Sequence, residues 1–218
     1  MLSPMSDATP DADLSRRRLE LVATVLLAFA TLGTAWSAYQ SREWTGEQSQ
    51  GYSRATKNRI AVNRTSALAN RQVQIDVATF VQWVDTRERG DAKLAHFYRE
   101  RFRDEFEPAF AAWLATNPHT NPNAPETPFA MPQYRLAANA EADRLEAAAA
   151  VDSNTAKDAN ERANAYMLGV VLFASALFFA GLSTKLEGQG PRKAVLALGC
   201  VLFLGTLVYL ATLPIRVV

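Results

Sequence analysis

The chain has 218 residues, a formal net charge of +1, 49% hydrophobic residues and a single cysteine. One cysteine excludes an intrachain disulfide and a cysteine-rich metal site. The averages are those of a soluble domain, but they mix two unlike materials.

Leu21–Ser41, Ala163–Thr184 and Ala194–Ile215 carry no charged residue over 21, 22 and 22 positions. A helix needs about 20 apolar residues to cross a hydrocarbon core. The chain therefore reads as an all-α membrane protein with three transmembrane helices and a helical extracytoplasmic domain between the first and second.

Residues 1–18 read as a cytoplasmic tail, with Met1–Asp13 expected to be unstructured because it mixes two prolines with small and acidic residues. Arg16, Arg17 and Arg18 precede the first span, residues 19–41. A basic cluster before an apolar run also describes a secretory signal. This run is longer than a signal core, however, and Trp36, Tyr39 and Trp44 behind it read as an interfacial aromatic belt. An uncleaved anchor is expected. No proline occurs from Leu14 to Arg89, so one helix is expected to leave the membrane and continue outward.

Residues 42–162 form the outer domain. Gly90-Asp91 reads as a helix stop and a new N-cap. Leu94, Phe97, Tyr98, Phe102, Phe106, Phe110, Trp113 and Leu114 then recur at helical spacing and predict one amphipathic helix over about 91–116. Val73, Val77, Phe80 and Val84 are expected to meet it. Five prolines from 118 to 132 predict a loop, and the uncharged run Pro108–Pro125 is no span because four prolines interrupt it. An alanine-rich helix is expected from Gln133, carrying Leu136, Ala140, Leu145, Ala149, Ala156, Ala159 and Ala163 as a stripe, and running into the second span, residues 163–184. At 1.5 Å per residue the outward helix would rise roughly 75 Å, and the two returning helices roughly 38 and 46 Å. Residues 185–193, with a tight turn at Gly188-Gln189-Gly190-Pro191, lead to the third span, 194–215.

Basic residues set the orientation. Arg16–Arg18 and the cluster Lys185, Arg192 and Lys193 belong on one face, and the positive-inside rule puts that face in the cytoplasm. The N-terminus is then inside and the C-terminus outside, with Tyr166 and Tyr209 as anchors at the far interface. Cys200, within the third span, reads as a small buried hydrophobe.

Arg54, Lys57, Arg59, Arg64 and Arg71 form a run with no acid between Gln48 and Ile75. Lys57, Arg64 and Arg71 repeat every seven residues and line one helix face. The run reads either as a solvated face paired with Asp143, Glu146, Asp152 and Asp158, or as an electropositive strip for lipid headgroups or an acidic protein partner. Arg54, Lys57, Arg64 and Arg71 are its candidate contacts. His96 and Glu100 have the spacing of a metal pair on a helix, but no second pair completes a site. The aromatic stripe reads as core, and Asn63-Arg64-Thr65 matches a glycosylation sequon.

No phosphate loop, nucleophile elbow or paired-histidine motif occurs. No ionisable residue sits at the centre of a span, where pumps and proton-coupled transporters keep one. No enzymatic activity, cofactor, metal or nucleic-acid partner is expected. The spans carry small residues suited to helix contacts: Thr24, Ala28, Thr31 and Ala35; Gly169, Ala176 and Ala180; Gly199 and Gly205. The expected role is assembly or binding, with the bilayer and a second copy of the chain as partners. The alternative is a subunit of an oligomeric channel or transport complex, since three uncharged spans cannot alone enclose a polar path.

The stretch Ala35-Trp36-Ser37-Ala38-Tyr39-Gln40, followed by Arg42, Trp44 and Glu47-Gln48, resembles a segment of uncharacterised bacterial inner-membrane proteins with one N-terminal span, a helical outer region and a C-terminal pair of spans. The resemblance covers about fifteen residues plus this order of elements. It implies a bacterial inner membrane and no particular activity.

Overall fold

The structure, a computed structural model, describes residues 10–216. It is all-helical, with no strand among the described residues: α1 (Pro10–Glu88), α2 (Ala92–Arg99), α3 (Glu107–Ala115), a single 3-10 turn (Pro128–Ala130), α4 (Ala137–Ser183) and α5 (Gln189–Ala211). α1, α4 and α5 are each long and apolar enough to cross a membrane. Only 22%, 28% and 22% of their apolar windows are buried inside the chain. The remaining apolar surface is stable only in an apolar solvent, which a bilayer supplies.

Several boundaries differ from the sequence expectation. Of the tail expected to be unstructured, residues 1–9 lie outside the described residues, and the chain is helical from Pro10, where proline's fixed φ suits a first turn. The aromatic helix is not continuous: α2 ends at Arg99 and α3 starts at Glu107. Pro108 explains the break. Its ring would clash with the carbonyl four residues earlier and its missing N–H would leave that carbonyl unbonded, so it is accepted only in the first turn of a new helix. The sequence pattern of apolar residues passed over that proline. α4 likewise starts at Ala137, four residues later than expected. The turn expected over Gly188–Pro191 is mostly the first turn of α5, with Gly188 as its cap.

The chain divides into two compact units. One holds residues up to Tyr52 and from Asn154 onward. In it α1 and α4 run antiparallel, with Gly33 against Phe173 and the Ser41 hydroxyl donating to the Ala163 carbonyl at 3.0 Å. α5 runs alongside α1, so that Leu26 meets Gly199. Ala23, Leu26, Ala180 and Leu196 form one cluster, and Ala30, Trp44, Ala159, Ala163, Tyr166, Phe173 and Leu210 another. Of the residues expected to form the aromatic belt, Trp36 and Tyr39 are exposed and Trp44 is buried. The guanidinium of Arg162 lies 4.6 Å from its ring centroid and that of Arg216 5.7 Å. Tyr166, expected as an interfacial anchor, is 1% exposed and its hydroxyl donates to the Pro214 carbonyl at 3.3 Å. The segment after α5 folds back over it, which an anchor argument based on position alone misses.

The second unit is Ser53–Ser153. Phe80 and Trp83 of α1, Ala95 of α2, and Phe102, Phe106, Phe110 and Trp113 form its core, with Phe129, Met131 and Tyr134 against it. The rings meet mostly edge to face, with centroids 4.8 Å apart for Trp83–Phe110 and 4.9 Å for Phe102–Phe106, the arrangement their quadrupoles favour. Trp113 Nε1 donates to the Pro125 carbonyl at 2.7 Å and ties the proline-rich loop to the core. Val84 joins this core, whereas Val73 packs with Ala69, Leu136 and Ala138, and Val77 is exposed.

Candidate functional site

The most buried charged group of the second unit is Asp76, at 1% exposure. It sits on the buried face of α1, one turn before Phe80. Its Oδ2 accepts from Arg103 Nη1 at 2.8 Å and from the Tyr134 hydroxyl at 2.9 Å. Arg103 also donates through Nη2 to Glu105, and Glu105 Oε1 accepts from the Ala137 backbone N–H, at the start of α4, at 2.9 Å. The network thus joins α1, the break between α2 and α3, and the first turn of α4. The break frees Arg103 from a helix face and lets it turn inward.

Burial pushes the Asp76 carboxyl above its ordinary value, outweighing the donors Tyr134 and Arg103, which pull it down. Burial and the hydrogen bond to Asp76 push the Tyr134 phenol up as well. Asp76 Oδ1 has no partner, and neither has the buried Oε1 of Gln72, one turn earlier on α1. At 1% exposure Asp76 cannot touch a substrate, so these residues hold α1, the α2–α3 break and the start of α4 together.

The surface carries the basic run. Arg54 Nε lies 3.2 Å from Asp152 Oδ1, and Asn58 Nδ2 donates to Asp152 Oδ2 at 3.0 Å. Arg54 is therefore held within the unit. Lys57, Arg64 and Arg71 are exposed, with no ion pair among the described residues. Asp143 and Glu146, expected as their partners, are equally without one, and Asp158 belongs to the other unit. On the same face Ile60 and Leu68 lie between the three cations and Ile75 follows the last, exposed by 47%, 43% and 52%. The order Lys57, Ile60, Arg64, Leu68, Arg71, Ile75 advances three or four residues at each step. It is a single stripe of alternating cation and aliphatic along α1. Sequence reasoning found the cations by their seven-residue repeat and missed the aliphatics, because both sides of α1 carry apolar residues.

On α4, Asp143, Glu146, Ala147, Ala150 and Val151 are exposed, Val151 by 65%. This patch is acidic where the α1 stripe is basic, and its Glu146 and Ala150 also line a groove shared with Arg59, Val62 and Asn63 of α1. Of the expected alanine stripe, Ala149 is buried within the unit but Ala140 is exposed, and Ala142, outside the stripe, is buried instead.

His96 Nε2 lies 3.4 Å from Glu100 Oε1 as an exposed pair. No three His, Cys, Asp or Glu side chains are grouped to hold a metal ion among the described residues. In the first unit, the Thr24 and Thr31 hydroxyls donate to Glu20 and Leu27 carbonyls of their own helix at 2.8 Å. Comparison with known proteins gives no matching family model, no matching curated protein and no matching solved structure.

Proposed function

We propose that the chain is a non-enzymatic assembly protein of the bacterial inner membrane that self-associates through its outer unit. The observation that carries this reading is the unpaired stripe Lys57–Ile75 on α1, with a patch of opposite charge, Asp143 to Val151, on α4 of the same unit. Within one chain neither surface satisfies the other. Between copies, the α1 stripe of one would meet the α4 patch of the next, placing aliphatics against Ala147, Ala150 and Val151 and cations against Asp143 and Glu146. Alternating charge and aliphatic residues at helical spacing suit another helix better than a layer of headgroups. Such a contact is heterologous, so it builds rings or rows instead of a closed pair.

A second feature supports the same reading. Thr24, Ala28, Thr31 and Ala35 occupy one face of α1 within the first span and are exposed, as a helix face kept for close contact in the membrane would be. The channel alternative gains less, because the threonine hydroxyls donate inside their own helix. In the proposed topology Arg16–Arg18 and residues 185–193 are cytoplasmic and residues 42–162 extracytoplasmic, following the positive-inside rule.

Cysteines test the contact directly. With Cys200 replaced by serine, Leu68→Cys and Ala147→Cys carried on separate copies in the same membrane should crosslink. Leu68→Cys with Ala149→Cys, a buried position, should not. Absence of the first crosslink, with both proteins present, would remove the proposed interface.

A further inference from the structure

We propose that an anionic phospholipid occupies the groove between α1 and α5, with its phosphate held by Arg18 and Lys193. The groove has a volume of about 340 Å³ and a wholly apolar wall, to which Val22, Val25 and Phe29 contribute from α1 and Cys200, Phe203 and Leu204 from α5. Both walls end in a cation at the same end. On α1, Arg18, Val22, Val25 and Phe29 follow one another at steps of four, three and four residues, so Arg18 extends the groove-lining row by one turn. On α5, Lys193 stands at the head of the row Lys193, Ala197, Cys200, Leu204, with the same steps. Leu26 meets Gly199 across the helix pair, which brings Lys193 to the level of residues 20 and 21.

The neighbouring charges sort themselves away from this mouth. Glu20 is shared by Arg16 and Arg192, each at 3.4 Å, and Arg192 is buried. Arg18 and Lys193 are exposed and have no ion pair among the described residues. Two exposed cations at the open end of an apolar groove match a ligand with one anionic group and a hydrocarbon tail. A second copy's span would fill the apolar wall but bring the same cations to the mouth, so charge favours a lipid.

Native mass spectrometry of the full chain in mild detergent tests this, after incubation with phosphatidylglycerol or with phosphatidylcholine of the same acyl chains. Phosphatidylglycerol should be retained in preference. Arg18→Gln and Lys193→Gln should each lower its retention about fivefold, the effect of one basic residue near an anionic headgroup. Cys200→Trp, which fills the groove, should lower retention of both lipids. Equal retention of the two lipids would overturn the proposal, as would unchanged retention in both charge variants. A Cys200–Cys200 crosslink between copies in native membranes would also overturn it, by placing protein in the groove. If Cys200→Trp does not fold, the two charge variants, at exposed positions, decide.

Discussion

Gln40 and Arg216, 176 residues apart, exchange two hydrogen bonds: Gln40 Nε2 donates to the Arg216 carbonyl and the Arg216 N–H donates to Gln40 Oε1, both at 3.0 Å. Arg216 also pairs with Glu47 Oε2 at 2.6 Å and lies over Trp44. Gln40, Trp44 and Glu47 therefore converge on one residue just past α5. All three lie on α1 within eight residues of one another, and their contacts dock the segment after α5 onto that helix.

The buried Asp76–Arg103 pair makes the first prediction. Arg103→Leu should destabilise the protein by about 3 kcal/mol at neutral pH, the lower end for breaking a buried pair because Arg103 keeps some exposure. Asp76→Asn in the same chain should recover part of that loss. The pH dependence follows from the raised Asp76 carboxyl. A group that holds its proton more tightly when folded gives its full stabilisation below its unfolded value, and loses it as pH rises through the folded value. Wild type should therefore lose stability relative to Asp76→Asn as pH climbs from 3.8 through the raised value, and show no further relative change above it. Melting temperatures of the two proteins across that range check the sign.

Aromatic packing makes the second. Phe106 and Phe110 are fully buried, whereas His96 is exposed. Phe106→Ala should cost about 3–5 kcal/mol, and His96→Ala less than about 0.5 kcal/mol. Comparable losses at the two positions would give His96 a ligand role that its exposed pairing with Glu100 does not.

Two glycines of α1 should respond in opposite ways. A Cβ at Gly33 would lie 2.7 Å from Phe173 Cε2, and Phe173 is fully buried, so Gly33→Ala should cost about 1–3 kcal/mol. A Cβ at Gly46 meets nothing within 4 Å, so Gly46→Ala should stabilise the helix by about 0.5–1 kcal/mol. Thermal melts in one detergent compare them directly.

Topology is checked by fusions. A reporter active only outside the cytoplasm should work after residue 120 and stay silent after residue 189, in line with the basic clusters at 16–18 and 185–193. The reverse pattern would invert the chain.

The spans, the proline-free length of α1 and the aromatic core were legible because each rests on composition or period over many residues. Asp76, Arg103 and Tyr134 were not. They are scattered over 58 positions, and only the helix break at Pro108 turns Arg103 inward. The candidate site was half legible. Lys57, Arg64 and Arg71 announce themselves by charge, but whether an arginine in such a run is free depends on what faces it, and Arg54 is taken by Asp152. Ile60, Leu68 and Ile75 look like core residues until the buried face of α1 is seen to run through Ala55, Ala69 and Asp76 instead.

The central claim is that the α1 stripe and the α4 patch of neighbouring copies meet. Charge reversal in the full chain, read as mass in lipid nanodiscs, tests it most directly. Wild type should form multimers, and Arg64→Glu/Arg71→Glu or Asp143→Lys/Glu146→Lys alone should abolish them, because like charges then face each other. All four changes in one chain restore opposite signs and should restore the multimers. A wild-type protein that is strictly monomeric, or multimers indifferent to all three sets, would contradict the account.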